Sequence, residues 1–156
     1  MKKMLCPLLI IGCLCSICFC AQAEEDVFTL WFEDGFSLSL PEGWVSYPVS
    51  AADAEKGMRY ALGDADSTHF MYIQRQPTTL TDMDALDAAI EAHEGYEKTS
   101  ELNFNNQPFL AFIAPAENIS ACVTLFEGDL LTFTFTPQDD STYMLTATEI
   151  MESFTA

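Results

Sequence analysis

The sequence predicts an α+β domain in which an antiparallel β-sheet is flanked by helices. Several short segments alternate apolar and polar side chains with the period of two that is typical of a half-buried strand. Turn dipeptides such as Asp34-Gly35 separate consecutive segments, and strands joined by short turns run antiparallel. Two other stretches change to the helical period of about 3.6. A chain of 156 residues with 49% hydrophobic residues can bury one core, so a single domain is expected.

The N-terminal segment has the features of a secretory signal peptide. Two lysines follow Met1, an apolar run extends to Cys20, and a small-x-small cleavage site ends at Ala23. Cleavage between Ala23 and Glu24 would separate a signal peptide, residues 1–23, from one globular domain, residues 24–156. The sequence therefore predicts an extracytoplasmic protein, either periplasmic or secreted.

Two other interpretations of this leader stay open. Ile10-Ile11-Gly12-Cys13 resembles a bacterial lipobox, in which Cys13 would carry a lipid that anchors the domain to a membrane. The residues after Cys13 stay apolar up to Ala21, whereas a lipid anchor is normally followed by a polar tether. In the second interpretation the leader is an uncleaved membrane anchor, although its apolar run is short for a bilayer span of ~20 residues.

All cysteines except Cys122 lie inside the leader, where Cys15-x-x-Cys18 only resembles a redox or metal motif. The processed chain would therefore have no internal disulfide. The neighbours of Cys122 in Ala121-Cys122-Val123 are apolar. We expect a small buried side chain and not a reactive thiol, because no basic groups nearby would lower its pKa.

The first half of the domain is predicted to contain two strand pairs and one helical turn. From Phe36 to Leu40 large apolar residues alternate with serines, and Pro41-Glu42-Gly43 then turns the chain toward Trp44. Pro48 limits regular pairing in the extended segment that follows. The predicted elements are strands at 27–32 and 36–40, an extended segment at 44–49, a helical turn at 51–55, and strands at 58–62 and 70–76.

A helix is predicted at 79–93. Apolar residues recur at helical spacing at Met83, Leu86, Ala89 and Ile90. Asp82, Asp84 and Asp87 place negative charge at the positive end of the helix dipole, and Gly95 is a suitable terminator. These three acids could also bind a cation, but a solvated helix start accounts for them fully.

Four strands follow, predicted at 96–104, 109–114, 120–126 and 130–136. In the last one Leu131, Phe133 and Phe135 alternate with threonines, which predicts one buried and one wet face of the sheet.

A second helix is predicted to close the domain. Thr136 is the expected N-cap, with Pro137 at the first helical position and Asp139 as the capping-box acid. An apolar stripe would pack this helix on the sheet: Tyr143, Ala147, Ile150, Met151 and Phe154.

Three local motifs stand out in this order of elements. They are Phe36-Ser-Leu-Ser-Leu-Pro-Glu-Gly-Trp44, Thr132-Phe-Thr-Phe-Thr136 and Ile150-Met-Glu-Ser-Phe154. Together with the element order they resemble the PsbP-like superfamily, which includes the extrinsic photosystem II protein, a eukaryotic Ran-binding protein, and small bacterial exported proteins or lipoproteins, some of them DcrB-like. The resemblance covers residues 27–154. It implies a PsbP-like α/β/α sandwich that serves protein contact or assembly, usually without catalysis.

The resemblance transfers no catalytic residue, and the sequence predicts no catalytic, cofactor-binding or metal-binding residue. Asp64-Ala65-Asp66 has the opening spacing of a calcium loop, but His69 and Arg75 stand where that loop needs Gly and Glu. A polar hairpin turn is the favoured interpretation. His69 and His93 have no further Cys or His ligands at the short spacing of a zinc site.

Three aromatic residues near one end of the domain, Trp31, Trp44 and Tyr47, are candidates for lining a ligand groove. Single aromatic residues in strand-rich domains are more often part of a core or its rim, which is the favoured interpretation.

The charge of the chain limits its partners. Acids outnumber bases 24 to 6, giving a formal net charge of −18, and removal of Lys2 and Lys3 with the leader would bring it to −20. Such a charge repels phosphate backbones and anionic lipids. We expect no nucleic-acid partner, and membrane attachment only through the leader or a lipid anchor.

Two functions from different classes fit these observations. The first is an exported non-catalytic interaction or assembly domain, whose partner is another envelope or secreted protein. The alternative is a secreted hydrolase or a small-ligand-binding protein that uses carboxylates in a cleft. A concave pocket with two or more polar groups of perturbed pKa would favour the alternative, and an exposed apolar patch would favour the interaction domain.

Overall fold

The computed structural model describes residues 27–156, so the predicted cleavage site at Ala23 and Glu24, and Cys13, lie outside the described residues. Its strands are β1 (Val27–Phe32), β2 (Phe36–Pro41), β3 (Trp44–Tyr47), β4 (Met58–Asp64), β5 (Phe70–Pro77), β6 (Glu97–Phe104), β7 (Gln107–Ala114), β8 (Ile119–Phe126) and β9 (Asp129–Thr136). Its α-helices are α1 (Ala51–Glu55), α2 (Met83–Glu91) and α3 (Ser141–Glu152), and a 3₁₀ turn spans Pro115–Glu117.

A seven-stranded sheet forms the centre of the structure. Its strands follow the order β3-β4-β5-β9-β8-β7-β6, and every neighbouring pair is antiparallel. β1 and β2 form a separate hairpin that turns at Asp34-Gly35, where the φ of +90° at Gly35 favours glycine. β9 lies in the middle because the chain crosses from β5 to β6 through α2 and returns strand by strand. The predicted antiparallel sheet flanked by helices is confirmed, and every predicted strand is present with small shifts at its ends.

α3 and the β1–β2 hairpin together cover one face of this sheet, called the α3 face below. The alternation in β9 puts Leu131, Phe133 and Phe135 on this face, and each is at most 2% exposed. Phe36 of the hairpin and Phe154 just after α3 are fully buried, with ring centroids 5.5 Å and 5.9 Å from that of Phe133. The apolar stripe predicted for the closing helix therefore packs on the sheet as expected.

Polar contacts hold the β1–β2 hairpin in place at the outer edge of β2 and at its turn. The backbone N–H of Ser37 donates to the Thr155 carbonyl at 2.8 Å, and the Thr155 N–H donates back at 3.1 Å. At the turn, Arg75 Nε donates to the Asp129 carboxylate at 2.8 Å and Arg75 Nη1 donates to the Asp34 carbonyl at 3.0 Å. The arginine thus holds the β1–β2 turn against the β8–β9 turn.

α2 covers only part of the opposite face, called the α2 face below. Leu86 and Ile90 of the helix pack on Leu110, Phe112 and Val123 of the sheet. These contacts join α2 to β6, β7 and β8, so the part of this face over β5 and β9 is left open as a groove. The helix is shorter than the predicted 79–93 at both ends, because it begins after its N-cap Asp82 and ends at Glu91.

The closing helix begins later than predicted. Thr136 is the last residue of β9, where it pairs with Phe70. α3 begins at Ser141, and the N-cap is Asp140, whose carboxylate accepts hydrogen bonds from the N–H groups of Thr142 and Tyr143. The predicted capping role of Thr136 is therefore wrong.

α3 begins later than predicted because of tertiary contacts, which the local sequence around Pro137 and Asp139 does not show. Asn118, at the entry to β8, accepts a hydrogen bond from the Gln138 N–H to its backbone carbonyl at 3.0 Å. Its side-chain oxygen accepts from the N–H groups of Gln138 and Asp139 at 3.0 and 3.1 Å. These bonds hold the segment against the sheet before the helix starts, so the predicted helical positions of Pro137 and Asp139 are also wrong.

Cys122 lies on the α3 face and is 8% exposed. Burial raises the pKa of its thiol to about 12, which agrees with the predicted role as a small buried side chain. Within residues 27–156, no helix is both long enough and apolar enough to cross a membrane.

Candidate functional site

An open groove lies on the α2 face, above the centre of the sheet, and is called the α2 groove below. Its cavity of about 480 Å³ is within the range of ~300–1,000 Å³ that is usual for ligand sites. The floor includes hydrogen-bonding side chains from β5 and β9, namely Tyr72, Gln74, Thr132 and Thr134, together with apolar side chains of Met58, Val123 and Leu130. The alternation that buries Phe133 on the α3 face therefore also supplies the polar floor of this groove.

Apolar and aromatic side chains form the wall of the α2 groove. Leu86 and Ile90 come from α2, and His93, Tyr96 and Phe112 continue the wall as a stack of rings. The ring centroids of His93 and Tyr96 are 3.7 Å apart, and those of Tyr96 and Phe112 are 4.4 Å apart. An apolar wall above a polar floor suits a ligand that has both kinds of surface.

The α2 groove contains neither lysine nor arginine among its lining residues, which include Glu117 and His93. Burial and the negative charge of Asp53 on α1 raise the pKa of Tyr72 in the floor. Tyr72 therefore keeps its proton at neutral pH and can donate a hydrogen bond to a ligand. The groove can accept and donate hydrogen bonds, and Glu117 adds a negative charge to its lining.

A second cavity of about 390 Å³ lies at the N-terminal end of α3 and is called the His69 pocket below. The rings of Trp44 and Tyr143 are stacked there with centroids 6.3 Å apart. The imidazole of His69 lies 4.5 Å from the ring of Tyr143. Glu42 and Asp140 contribute carboxylates to the lining. If the protein were an enzyme, this pocket would be its candidate active site.

His69 bridges two carboxylates in this pocket. Its Nδ1 lies 2.7 Å from Asp64 Oδ2, and its Nε2 lies 3.3 Å from Asp140 Oδ2. Burial by itself would lower the pKa of His69, but the hydrogen bonds to Asp64 and Asp140 outweigh it and raise that pKa. The protonated imidazolium, which donates from both nitrogens, is the form that satisfies this geometry.

The pKa values of Asp64 and Asp140 shift in the opposite direction to that of His69. Burial by itself would raise the pKa of Asp64, but hydrogen bonds from Thr68 and His69 together lower it well below its usual range. The backbone N–H of Tyr143 and the side chain of His69 lower the pKa of Asp140. The perturbed pKa values therefore arise from mutual hydrogen bonding between the β4–β5 turn and the start of α3.

This bonding restricts what the His69 pocket can do chemically. A general base needs a free nitrogen lone pair, and both nitrogens of His69 face carboxylates. Asp140 Oδ1 accepts from the N–H groups of Thr142 and Tyr143 at 2.9 and 3.0 Å, so this carboxylate caps α3. The geometry favours a structural tie over a proton-transfer site.

Three of the acids considered as cation ligands, Asp64, Asp82 and Asp87, have local structural partners. Asp64 accepts from the Thr68 N–H at 2.7 Å, as expected of a polar hairpin turn. Asp82 accepts from the Ala85 N–H at 2.9 Å as the N-cap of α2. Asp87 lies 2.7 Å from Lys98 Nζ, which joins α2 to β6. Among residues 27–156, no group of three or more His, Cys, Asp or Glu is arranged to hold a metal ion.

The three candidate aromatic residues do not line one groove. Trp31 is 71% exposed on β1, and Trp44 lines the His69 pocket. Tyr47 packs against the ring of Phe70 at 5.3 Å, and its hydroxyl donates to the Asp64 carbonyl at 2.6 Å. The two histidines are separated as well, because His93 lines the α2 groove.

Sequence reasoning missed the floor of the α2 groove as a site. The alternation around Thr132 and Thr134 predicts a wet side for β9, and this was the signal available. Tyr72 and Gln74 lie directly beside them, since Tyr72 pairs with Thr134 and Gln74 with Thr132. That pairing, between strands more than fifty residues apart in the chain, brings the four side chains together only in the folded sheet.

Comparison with known proteins identifies the fold. No protein-family model and no curated protein matches this chain. The solution structure of cyanobacterial PsbP (CyanoP) from Synechocystis sp. PCC 6803 is similar, with a TM-score of 0.57 and 16% sequence identity. The match covers 87% of this chain and 95% of that one. Together with the seven-stranded sheet and its flanking helices, this match shows that the chain has a PsbP-like fold.

Proposed function

We propose that the protein is an exported, non-catalytic interaction domain that binds a segment of another envelope or secreted protein in the α2 groove. The observation that carries this proposal is the half-covered α2 face. Its floor offers the side chains of Tyr72, Gln74, Thr132 and Thr134, and α2 provides an apolar wall. A bound polypeptide segment would place polar atoms on the floor and apolar side chains against the wall.

The charge distribution indicates a basic partner. The formal net charge of the whole chain is −18, and Glu117 is in the lining of the groove itself. A negative field of this size accelerates association with positively charged proteins, and added salt weakens it. The PsbP-like fold supports a contact role, since the superfamily resemblance implies assembly proteins that usually lack catalysis.

The alternative function is catalysis or ligand binding by carboxylates in the His69 pocket. Three of its lining groups, His69, Asp140 and Tyr143, have perturbed pKa values, which is the feature expected of such a site. However, His69 and Asp140 are bonded to each other and to the α3 N-terminus, and the Tyr143 hydroxyl donates to the Phe70 carbonyl at 2.6 Å. The α2 groove, whose floor is exposed to an incoming ligand, therefore supports the proposed function better.

The experiment that tests the proposal uses one substitution in the groove and one outside it. Thr132→Lys places a long cationic side chain on the groove floor. Thr148→Lys makes the same chemical change at an exposed residue of α3, which lines a separate cavity on the opposite face of the sheet, and is the matched control. Proteins captured from the native envelope fraction would be identified, purified and titrated against the wild type and both variants.

We expect a captured basic partner to bind the wild type and to lose about tenfold or more in affinity with Thr132→Lys, as a buried hot-spot contact would. Thr148→Lys should change the affinity by less than about twofold, apart from a charge effect that salt removes. Equal binding by wild type and Thr132→Lys would refute the groove as the contact site. Turnover of a substrate by the purified protein, abolished by His69→Ala, would refute the non-catalytic function.

A further inference from the structure

The outer edge of β1 differs from the other open strand edges of the described chain. The large sheet ends in β3 and β6, and the hairpin has β1 and β2. The free edge of β2 is closed by the Ser37–Thr155 pairing and by a hydrogen bond from the Ser39 N–H to Ser153 Oγ at 2.7 Å. β1 pairs only with β2 among the described strands, so its other edge offers backbone N–H and C=O groups.

The two edges of the large sheet have the features that prevent a foreign strand from pairing. β3 has only four residues, and Pro48 follows directly after it. β6 carries Glu97, Lys98 and Glu101 along its eight residues. Charges and proline at an edge make addition of another strand unfavourable.

β1 has none of these features. Its sequence, Val-Phe-Thr-Leu-Trp-Phe, contains no charged residue, proline or glycine. Val27 is 63% exposed and Trp31 is 71% exposed. The two side chains lie four residues apart and therefore point to the same side of the strand, away from the buried Phe32. An apolar, uncharged edge of this kind marks an interaction surface.

We propose that the outer edge of β1 binds an extended segment of a basic partner protein as an added strand. Such β-augmentation uses backbone hydrogen bonds for affinity and side-chain contacts for specificity. Trp31 would be the main side-chain anchor, because tryptophan is enriched among the residues that dominate binding energy. The site lies on the cover of the α3 face, whereas the α2 groove lies on the opposite face, so the two surfaces are independent.

Charge decides which segment pairs with this edge. Glu33 follows β1 directly, and Glu42 lies beyond Pro41, which pairs with Val27 at the other end of the strand. Both glutamates are exposed. A second copy of this chain would bring the same acids and a formal net charge of −18, which opposes self-association. A segment with lysine or arginine at both ends and alternating apolar residues between them complements the edge.

The test uses displayed random peptides of about twelve residues, enough for a strand of about six residues with flanks. Peptides would be selected on protein expressed from the full-length chain, after depletion on the Trp31→Lys variant. Trp31→Lys introduces the charge that protects natural edges, and Trp31 is exposed enough for the fold to persist. Leu145→Lys, at a residue 68% exposed on α3, is the matched control.

We expect selected peptides rich in terminal Lys or Arg that slow amide hydrogen exchange within residues 27–32. Trp31→Lys should weaken their binding by about tenfold or more, whereas Leu145→Lys and the groove variant Thr132→Lys should leave it within about twofold. Failure of the groove proposal would therefore not affect this result.

Three outcomes would overturn the inference. They are peptides that protect only residues outside β1, peptides without basic ends, and concentration-dependent self-association of the protein through β1. In the last case the strand that pairs with β1 would belong to a second copy of this chain.

Discussion

The two faces of the central sheet are covered to different extents, and the geometry of their covers explains why. The sheet of seven strands is ~29 Å wide at ~4.8 Å per spacing. On the α3 face, the hairpin and the twelve residues of α3 lie side by side and leave Phe133 and Phe135 at most 2% exposed. On the α2 face, the nine residues of α2 form a cylinder only ~14 Å long and ~10 Å across. The α3 face is therefore closed over β5 and β9 and keeps a cavity of about 360 Å³ between α3 and β6–β8, whereas the α2 face keeps an open groove over the centre of the sheet.

Because of this difference, we expect the α3 face to contribute mainly to stability and the α2 groove mainly to binding. The α3 face gathers the fully buried aromatic residues around Phe154, and changes there should affect the free energy of unfolding. The α2 groove combines a smaller apolar cluster with half-buried hydrogen-bonding groups. Changes to its floor should affect binding more than folding. The predictions below test the comparison, from the largest expected effect to the smallest.

Phe154→Ala should be the most destabilising of these substitutions. Phe154 is fully buried, and its ring lies 5.2 Å from that of Phe109 and 5.6 Å from that of Phe36. Removal of a buried phenylalanine side chain costs about 3–5 kcal/mol of unfolding free energy. Urea denaturation would measure this loss, with the exposed Leu145→Ala as a control expected within about 0.5 kcal/mol of wild type. A loss below about 1 kcal/mol would contradict the central role of this face.

A matched pair of isoleucines compares the two faces directly. Ile150 of α3 is 2% exposed and Ile90 of α2 is 5% exposed. Isoleucine-to-alanine changes cost about 2–5 kcal/mol, and the cost is smaller where neighbours can relax or water can enter. We expect Ile150→Ala to fall near the top of this range and Ile90→Ala near the bottom. Equal losses of unfolding free energy for the two variants in urea denaturation would show that the open groove does not reduce the cost of truncating Ile90.

Arg75→Gln should loosen the hairpin that covers the α3 face. The guanidinium is 14% exposed and lies within 2.8–3.5 Å of Asp129, Glu127 and Asp34. We expect a loss of about 1–3 kcal/mol, since this network is more buried than an exposed ion pair. Lys56→Gln is the control, because the Lys56–Asp53 pair is longer, at 4.0 Å, and its lysine is 75% exposed. A loss for Arg75→Gln no larger than for Lys56→Gln in the same urea denaturation would contradict this prediction.

His69→Gln should have the smallest effect, and that effect should depend on pH. The pKa of His69 is raised in the folded protein, so its contribution is present below the unfolded pKa of about 6.5 and is lost as pH rises through the folded value. The pKa values of Asp64 and Asp140 are lowered. Their contribution is therefore present above about 3.9 and is lost as pH falls through their lowered folded values.

The cluster should therefore stabilise the fold most at mildly acidic pH. Melting curves between pH 5 and pH 9 should show wild type losing more stability with rising pH than His69→Gln, with a difference of about 1 kcal/mol at the acidic end. Leu145→Gln, at a residue that does not titrate and is 68% exposed, is the control and should follow wild type. Parallel pH profiles for wild type and His69→Gln would show that the bridge does not contribute.

Much of the fold could be predicted because alternation and turn chemistry are local. The runs from Phe36 to Leu40 and from Leu131 to Phe135 alternate, and their large apolar residues are buried as predicted. Ser37 is the exception to the alternation, because it is 3% exposed where it pairs with Thr155 at the edge of β2. The start of α3 could not be predicted, because Asn118, distant in sequence, holds the segment before it. The site was missed for a similar reason, since Thr132 and Gln74 become neighbours only through strand pairing.

The sequence by itself determined which side chains are apolar, where the chain turns, and therefore which side of an alternating strand such as β9 is buried. Those properties depend on the φ/ψ preferences of a few residues and on the period of two, which need no distant partner. Only the tertiary structure decided that β9 lies between β5 and β8, and that one short helix covers the α2 face. How much of a sheet face is covered depends on the areas of the elements that pack on it, and a local sequence pattern does not contain this information. The alternation in β9 marks Thr134 as wet, but it does not show whether a helix, a partner or solvent lies above this residue.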